Sequence, residues 1–259
     1  MDHGSLRKLL KPTTLEPRDV ILFGFGRIGR LLARELIVQE GSGHQLRLRA
    51  IAVRSIDVAS LHKRASLLKI DSVHGDFPGT IKVDEENLAL IINGRPVYFI
   101  PAPDPTKADY TAYGISKALL IDNSGAFRDD TALSKHLEGK GVDKVLLTAP
   151  GKGVPNIVHG VNQNNIGKKD RIISAASCTT NAISPVLKVV NDHFGIERGH
   201  LETIHAYTND QNLVDNMHSK YRRGRAAAMN MVITETGAGK AVDKCIPGLG
   251  EKLTSSAIR

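Results

Sequence analysis

The sequence has few cysteines and few apolar stretches, and these shortages exclude several classes of protein. Two cysteines in 259 residues do not make a disulfide framework, so we expect a reducing, cytoplasmic location. No apolar run approaches the roughly 18 residues of a membrane span. Residues 1–18 are polar and contain no apolar stretch, which predicts a loose leader rather than a secretory signal.

Aromatic residues are also scarce, and this affects how the excess of basic residues is interpreted. Lys and Arg number 35 against 27 Asp and Glu, while aromatics make up 4% and Trp is absent. A nucleic-acid module more often concentrates its charge and interleaves it with aromatic residues. We therefore expect small anions such as phosphates, rather than nucleic acid or a membrane, as the partners. The hydrophobic share of 41% suffices for a globular core of one or two domains.

Hydrophobic periodicity predicts alternating strands and helices up to about residue 150. Strands are expected at 19–23 and 46–53, each followed by a helical pattern, at 27–39 and 57–69. Asn93-Gly94 lies between two strand-like runs and signals a hairpin. A further strand, helix and strand are expected at 117–122, 128–137 and 144–148. This order predicts a doubly wound, mostly parallel α/β sheet.

The pattern changes after Pro150, so a domain boundary is expected near residues 150–175. The later segments have less regular periodicity, and residues 209–228 form a long polar loop. The remaining predictions are strands at 171–175, 201–207 and 229–233, and helices at 179–194 and 236–244.

A glycine-rich turn follows the first predicted strand. Gly24, Gly26 and Gly29 form a G-x-G-x-x-G sequence that opens an amphipathic helix. Gly24 allows the tight turn, Gly26 lets the backbone approach a pyrophosphate, and Gly29 lets the helix pack closely on the sheet. The free N–H groups of the helix N-terminus complete an anion site. An ordinary strand-to-helix turn is the alternative.

The end of the second strand bears on the choice of cofactor. Dinucleotide folds carry an acid here that binds the adenosine ribose. This sequence has Arg54 and Ser55 instead, and Asp57 falls in the following helix. Arg54 and Ser55 suit a 2′-phosphate, so NADP is an option beside NAD. A solvated surface arginine is the alternative.

Cys178 is predicted at a helix N-terminus, where a thiolate is favoured. His205 ends a strand 27 residues later and is a candidate base for this thiol. A buried cysteine and a histidine at the edge of the core remain the alternatives. Cys245 has no base near it in sequence and is interpreted as a packing residue.

Several motifs together resemble phosphorylating glyceraldehyde-3-phosphate dehydrogenase. They occur in the family's order and at its spacing, from about Asp19 to Arg259. The motifs are Gly-Phe-Gly-Arg-Ile-Gly-Arg at 24–30, Leu-Leu-Lys-Ile-Asp-Ser-Val-His-Gly at 67–75, Ser-Cys-Thr-Thr-Asn at 177–181, His-Ala-Tyr-Thr at 205–208 and Thr-Gly-Ala-Gly-Lys-Ala-Val at 236–242.

The resemblance implies a cofactor domain at 19–176 and part of an α+β catalytic domain at 177–259. It implies oxidation of glyceraldehyde 3-phosphate with NAD or NADP and inorganic phosphate, through a thioester on Cys178 with His205 as the base. It also implies a cytoplasmic homotetramer of glycolysis or gluconeogenesis, with no metal site.

Further site residues carry over by motif match. Cofactor contacts, besides the glycines and Arg54 with Ser55, are Arg27, Ile28, Ser124, Gly125 and Thr148. Substrate and phosphate contacts are Ser177, Thr179, Thr208, Arg223, Thr236, Gly237 and Arg259. Phe23 departs from the family, which usually has Asn at that position.

The family continues past the residue that matches Arg259. We therefore expect this chain to be a fragment, or unstable or inactive by itself. Two other functions stay open at this point. One is erythrose-4-phosphate dehydrogenase, which shares the cysteine and the histidine, and the other is a non-catalytic nucleotide-binding fragment.

Overall fold

The fold is described from a computed structural model, which covers residues 17–41 and 45–259. Most of the leader expected at 1–18 lies outside the described residues. The chain divides into two compact units. The first holds residues up to Phe127 together with Thr131–Leu146, and the second holds Arg128–Asp130 and Leu147–Arg259. The domain boundary expected between residues 176 and 177 stays a prediction.

The first unit is built from alternating strands and helices, as the periodicity predicts. Its strands are β1 (Arg18–Phe23), β2 (Leu46–Val53), β3 (Ile70–Asp71), β4 (Gly75–Asp76), β5 (Ile81–Asp84), β6 (Ala89–Ile92), β7 (Arg95–Pro101), β8 (Ala118–Asp122) and β9 (Val142–Leu147). Its helices are α1 (Arg27–Gly41), α2 (Val58–Lys69) and α3 (Asp130–Glu138).

The large sheet of this unit has the strand order of a dinucleotide-binding fold. From one side it runs β9-β8-β1-β2-β7-β6-β5. β1 pairs in parallel with β2 and β8, and β2 pairs in parallel with β7. The order reverses beside β1, and ligands of such sheets bind at that point. The predicted Rossmann-type parallel sheet is therefore confirmed.

The core of the first unit lies against this sheet. The strand centres are almost fully apolar, and Val20, Leu22 and Ile51 are completely buried, as expected of parallel strands covered on both faces. Leu61 and Leu68 of α2 belong to the same cluster. The expected hairpin at Asn93-Gly94 is present, because β6 and β7 pair antiparallel up to Ile92 and Arg95.

The second unit has a smaller sheet and a long helix. Its elements are β10 (Ile172–Ser174), α4 (Cys178–Phe194), β11 (Gly199–Ile204), β12 (Ile233–Thr234), α5 (Ala238–Asp243) and β13 (Leu253–Ile258). β13 lies between β11 and β12, parallel to the first and antiparallel to the second. None of the described helices is long and apolar enough to cross a membrane.

Two expectations for the second unit are wrong in extent. The strand predicted at 201–207 ends at Ile204, and the strand predicted at 229–233 is reduced to Ile233 and Thr234. β11 ends where its pairing with β13 ends, at Ile204 and Ile258. His205 therefore lies just past the strand, where its ring is free to turn toward another element.

Candidate active site

The glycine turn at the end of β1 needs two of its three glycines for steric reasons. Gly24 has φ +95°, and a Cβ there would lie 3.0 Å from backbone atoms of Ser124. A Cβ on Gly29 would lie 2.4 Å from the carbonyl oxygen of Gly24. Gly26 has no heavy atom within 4 Å of such a Cβ and faces open space. The turn therefore leaves its backbone open where a pyrophosphate would bind.

The loop after β8 borders the same turn. Asn123 donates its N–H to the carbonyl of Phe23 at 2.8 Å. Ser124 donates its N–H and its hydroxyl to Oδ1 of Asp122, both at 2.7 Å. Gly125 follows with φ +73° and open space beside it. The two predicted cofactor residues thus lie at the carboxyl end of the sheet, in a conformation held by Asp122.

Asp122 itself was not among the predicted site residues. It is completely buried, and its Oδ2 lies 2.9 Å from Nε2 of His136. The signal was present in the sequence as an acid that ends an apolar strand just before Asn-Ser-Gly. Only the structure shows that this carboxylate positions the loop.

The other predicted cofactor residues have different surroundings. Arg54 and Ser55 are exposed directly after β2. Arg27 donates to Oδ1 of Asp71 at 3.1 Å, and Ile28 is half exposed at the start of α1. Thr148 follows β9 and belongs to the second unit.

Cys178 is the first residue of α4, as its sequence context predicts. Ser177 is the N-cap, and its hydroxyl oxygen accepts the N–H of Thr180 at 3.0 Å. Cys178 is exposed, and its Sγ lies 4.0 Å from the Thr179 hydroxyl. The thiol lies at the N-terminus of a 17-residue helix, at the positive end of the helix dipole.

His205 meets Cys178 directly. Its Nε2 lies 3.4 Å from Sγ of Cys178, and its Nδ1 lies 2.6 Å from the carbonyl oxygen of Ala206. A carbonyl only accepts, so Nδ1 carries the proton and Nε2 of the neutral ring is left as an acceptor for the thiol. The backbone N–H of His205 donates to Ile258 and fixes the residue at the end of β11. The pair has the geometry of a nucleophile and its base.

Of the two arginines predicted to hold anions, Arg259 lies near Cys178 and Arg223 lies near Arg259, and their side chains are engaged differently. Arg223 donates to Asp210 at 2.5 Å, to the Thr234 hydroxyl at 3.0 Å and to the Glu235 carbonyl at 3.2 Å. Among the described residues, the guanidinium of Arg259 donates a single long hydrogen bond, 3.5 Å, to the hydroxyl of Thr208. Arg259 therefore keeps more of its donors for a ligand.

The charges of this cluster are coupled. Burial and the charge of Arg223 lower the pKa of Arg259, while Asp210 and Cys178 oppose that shift. Burial raises the pKa of Asp210, but the hydrogen bond and the charge of Arg223 outweigh it, so the pKa is lowered. Like Asp122, Asp210 belongs to the site although no sequence motif predicts it there. Its place two residues after Thr208 is the only signal for it.

Thr236 and Gly237 lie at the N-terminus of α5. The Thr236 hydroxyl accepts the N–H of Ala238 at 3.2 Å. No hydrogen bond within residues 17–41 and 45–259 joins either residue to Cys178 or His205. Over the same ranges, no three His, Cys, Asp or Glu side chains are grouped so that they could hold a metal ion.

Comparison with known proteins identifies the family. Residues 18–130 match the model of the glyceraldehyde 3-phosphate dehydrogenase NAD binding domain, and residues 177–259 match that of its C-terminal domain. The chain is 60% identical over 245 residues to a glyceraldehyde-3-phosphate dehydrogenase-like protein of Pseudomonas aeruginosa, a match that covers 94% of this chain and 53% of the relative.

Relatives named glyceraldehyde-3-phosphate dehydrogenase are also similar. The Zymomonas mobilis protein is 38% identical over 93% of this chain and 68% of its own length. The Thermotoga maritima protein is 42% identical over 86% of this chain and 64% of its own length. The chain thus spans between about half and about two thirds of the length of these three relatives. It belongs to the glyceraldehyde-3-phosphate dehydrogenase family, an NAD-dependent oxidoreductase family, as its motifs indicated.

Proposed function

We propose that this chain provides the nucleophile and the dinucleotide site for oxidation of glyceraldehyde 3-phosphate to 1,3-bisphosphoglycerate. The observation that carries the proposal is the 3.4 Å distance between Sγ of Cys178 and Nε2 of His205, at the N-terminus of α4. The family membership supports a nicotinamide cofactor and an aldehyde substrate.

The first step is attack of the Cys178 sulfur on the aldehyde carbon. His205 accepts the thiol proton at Nε2, because Nδ1 already donates to Ala206. The product is a thiohemiacetal, whose oxygen develops negative charge. The N–H groups at the start of α4 are suited to stabilise that charge.

Oxidation then leaves a thioester on Cys178. A nicotinamide dinucleotide held at the glycine turn would supply the oxidant for this step as a hydride acceptor. His205 returns the thiol proton to the thiohemiacetal oxygen, and takes it up again from the hydroxyl as the hydride leaves the carbon. Inorganic phosphate attacks the acyl carbon, the C–S bond breaks, and the acyl phosphate leaves. Sulfur suits this task because a thioester retains the energy of oxidation that hydrolysis would lose.

Anion binding is assigned to residues that keep free donors. Arg259 and the Thr208 hydroxyl are the best candidates for a phosphate group, since only a 3.5 Å hydrogen bond joins them. Arg223 contributes positive charge and holds Asp210 through its guanidinium. Four further residues are proposed as substrate and phosphate contacts by motif match alone: Ser177, Thr179, Thr236 and Gly237. The tetrameric assembly and the cytoplasmic location are proposed from the same resemblance.

The test is acylation of Cys178 in the full chain. Incubation with glyceraldehyde 3-phosphate and either NAD or NADP, without phosphate, should release reduced cofactor in an amount stoichiometric with protein and leave an acyl group on Cys178 by mass spectrometry. Cys178→Ser should abolish both signals. Cys245→Ala is the matched control, because Cys245 is buried and burial raises the pKa of its thiol.

The same experiment separates the other two functions. Erythrose 4-phosphate that acylates Cys178 faster than glyceraldehyde 3-phosphate would favour erythrose-4-phosphate dehydrogenase. Nucleotide binding with no acylation by either aldehyde would favour a non-catalytic nucleotide-binding protein. Acylation by glyceraldehyde 3-phosphate, followed by removal of the acyl group when inorganic phosphate is added, would support the proposal.

A further inference from the structure

The carboxyl end of β2 lies where a dinucleotide fold reads the adenosine ribose. Backbone hydrogen bonds fix this point on both sides. Gly24 donates to the carbonyl of Ala52 at 2.9 Å, and Ala102 donates to the carbonyl of Val53 at 2.7 Å. Arg54 is therefore the first residue to leave the sheet, directly beside the glycine turn. The side chain of Arg54 is therefore the first one after β2 that is placed to contact the adenosine ribose.

The carboxylates near this point are already engaged as caps. Asp57 is the N-cap of α2 and accepts the N–H of Ser60 at 2.7 Å, while the Ser60 hydroxyl accepts the N–H of Asp57. Asp104, in the loop after β7, accepts the N–H and the hydroxyl of Thr106 at 3.0 and 2.7 Å. Both carboxylates thus serve as caps through Oδ1, and neither stands directly after β2, where NAD sites typically carry the ribose-binding acid.

The other polar side chains directly after β2, those of Arg54 and Ser55, can donate hydrogen bonds. Arg54 and Ser55 are exposed, and Arg54 forms no hydrogen bond or ion pair with any other described residue of the chain. A guanidinium is always charged and presents N–H donors in a planar fork that matches a phosphate. The negative charge of Asp57 is offset by Lys63 and Arg64 on the next turns of α2.

We propose that Arg54 and Ser55 bind the 2′-phosphate of the adenosine ribose, so that this chain prefers NADP over NAD. The proposal rests on the dinucleotide role given above, but it does not depend on the chemistry of Cys178. It gives a function to Arg54 and Ser55, which stand after β2 where other dinucleotide folds carry a ribose-binding acid.

Binding of the adenosine half alone tests it. The full chain is titrated with 2′,5′-ADP and with 5′-AMP in a calorimeter, at one ionic strength. We expect 2′,5′-ADP to bind at least about tenfold more tightly, in line with charge-assisted hydrogen bonds to one phosphate. Arg54→Asp should remove that preference. Lys82→Asp makes the same charge change on β5, at the far edge of the sheet, and should leave the preference intact.

Several outcomes would overturn the proposal. These are equal affinity for the two nucleotides, no binding of 2′,5′-ADP, an unchanged preference in Arg54→Asp, or an equal loss in Lys82→Asp. Acylation of Cys178 is measured separately. A chain that prefers 2′,5′-ADP but is not acylated would therefore contradict only the proposed reaction. A chain that is acylated but does not discriminate would contradict only the role of Arg54.

Discussion

Nε2 of His136 lies 2.9 Å from Oδ2 of Asp122, and neither side chain is exposed to solvent. The imidazole ring packs edge-on against Phe23 and Phe127, with ring centroids 4.6 and 4.8 Å away. The other oxygen of Asp122 holds Ser124 through two hydrogen bonds. A buried pair thus links α3 to the loop that borders the glycine turn.

Replacement of His136 by Phe should destabilise the first unit strongly. The substitution keeps an aromatic ring but leaves a buried carboxylate without one of its partners, which costs about 3 kcal/mol of unfolding free energy. Urea unfolding followed by far-UV circular dichroism measures the change. His136→Gln, which can still donate to Asp122, should lose less. A loss below about 0.5 kcal/mol in His136→Phe, the range of a neutral surface substitution, would contradict the role of the pair.

Alanine substitutions should separate the two tasks of the glycine turn. Gly29→Ala places a Cβ 2.4 Å from the carbonyl oxygen of Gly24, so the helix must move and the melting temperature should fall. Gly26→Ala meets no atom within 4 Å and should melt like the parent, but its methyl group occupies the space left for a pyrophosphate. We expect Gly26→Ala to weaken dinucleotide binding at unchanged stability. Equal effects of the two substitutions on stability would contradict this division.

Asp71 should make the stability of the first unit depend on acid pH. The N–H of Val73, then the ring and the N–H of His74, donate to this carboxylate, so its pKa in the folded chain lies well below the ordinary value of about 3.9. Because the folded pKa is depressed, the stabilisation is fully present above the unfolded pKa. It is lost as the pH falls through the folded pKa.

The measurement is the melting temperature between about pH 6 and pH 2. Asp71→Asn should lower stability near neutral pH and flatten the loss toward acid. Asp76→Asn removes an exposed carboxylate from β4 and serves as the control. Equal acid sensitivity in the parent and in Asp71→Asn would show that the hydrogen bonds to Asp71 do not stabilise the fold.

Substitution of His205 by Asn should slow every step that moves a proton at Cys178. The amide cannot act as a base, so acylation by aldehyde should slow by about two to three orders of magnitude. Alkylation of Cys178 by iodoacetamide should slow as well, since the thiol loses the base that accepts its proton. The control is His200→Gln, because His200 lies on the exposed face of β11 and contacts Thr254. If His205→Asn were acylated at the parental rate, His205 would not be the base.

Local sequence determined much of this protein. The bounds of β2 and the starts of α1 and α2 follow from apolar periodicity, from the glycine turn and from the capping box of Asp57 and Ser60. The hairpin at Asn93-Gly94 is equally local, because both residues adopt positive φ, 48° and 81°. The place of Cys178 at a helix start follows from the N-cap Ser177. Each of these depends on interactions between residues close in the chain.

The tertiary structure decided the rest. β13 was not predicted, because its Thr and Ser residues carry no apolar run and pair with β11, more than 50 residues away in sequence. The ion pair of Asp210 with Arg223 and the contact of Asp122 with His136 likewise join residues that no local pattern connects. The approach of His205 to Cys178 depends on where β11 stops pairing with β13. Such contacts form only once distant strands have paired, so the sequence supplied the reactive groups and the fold brought them together.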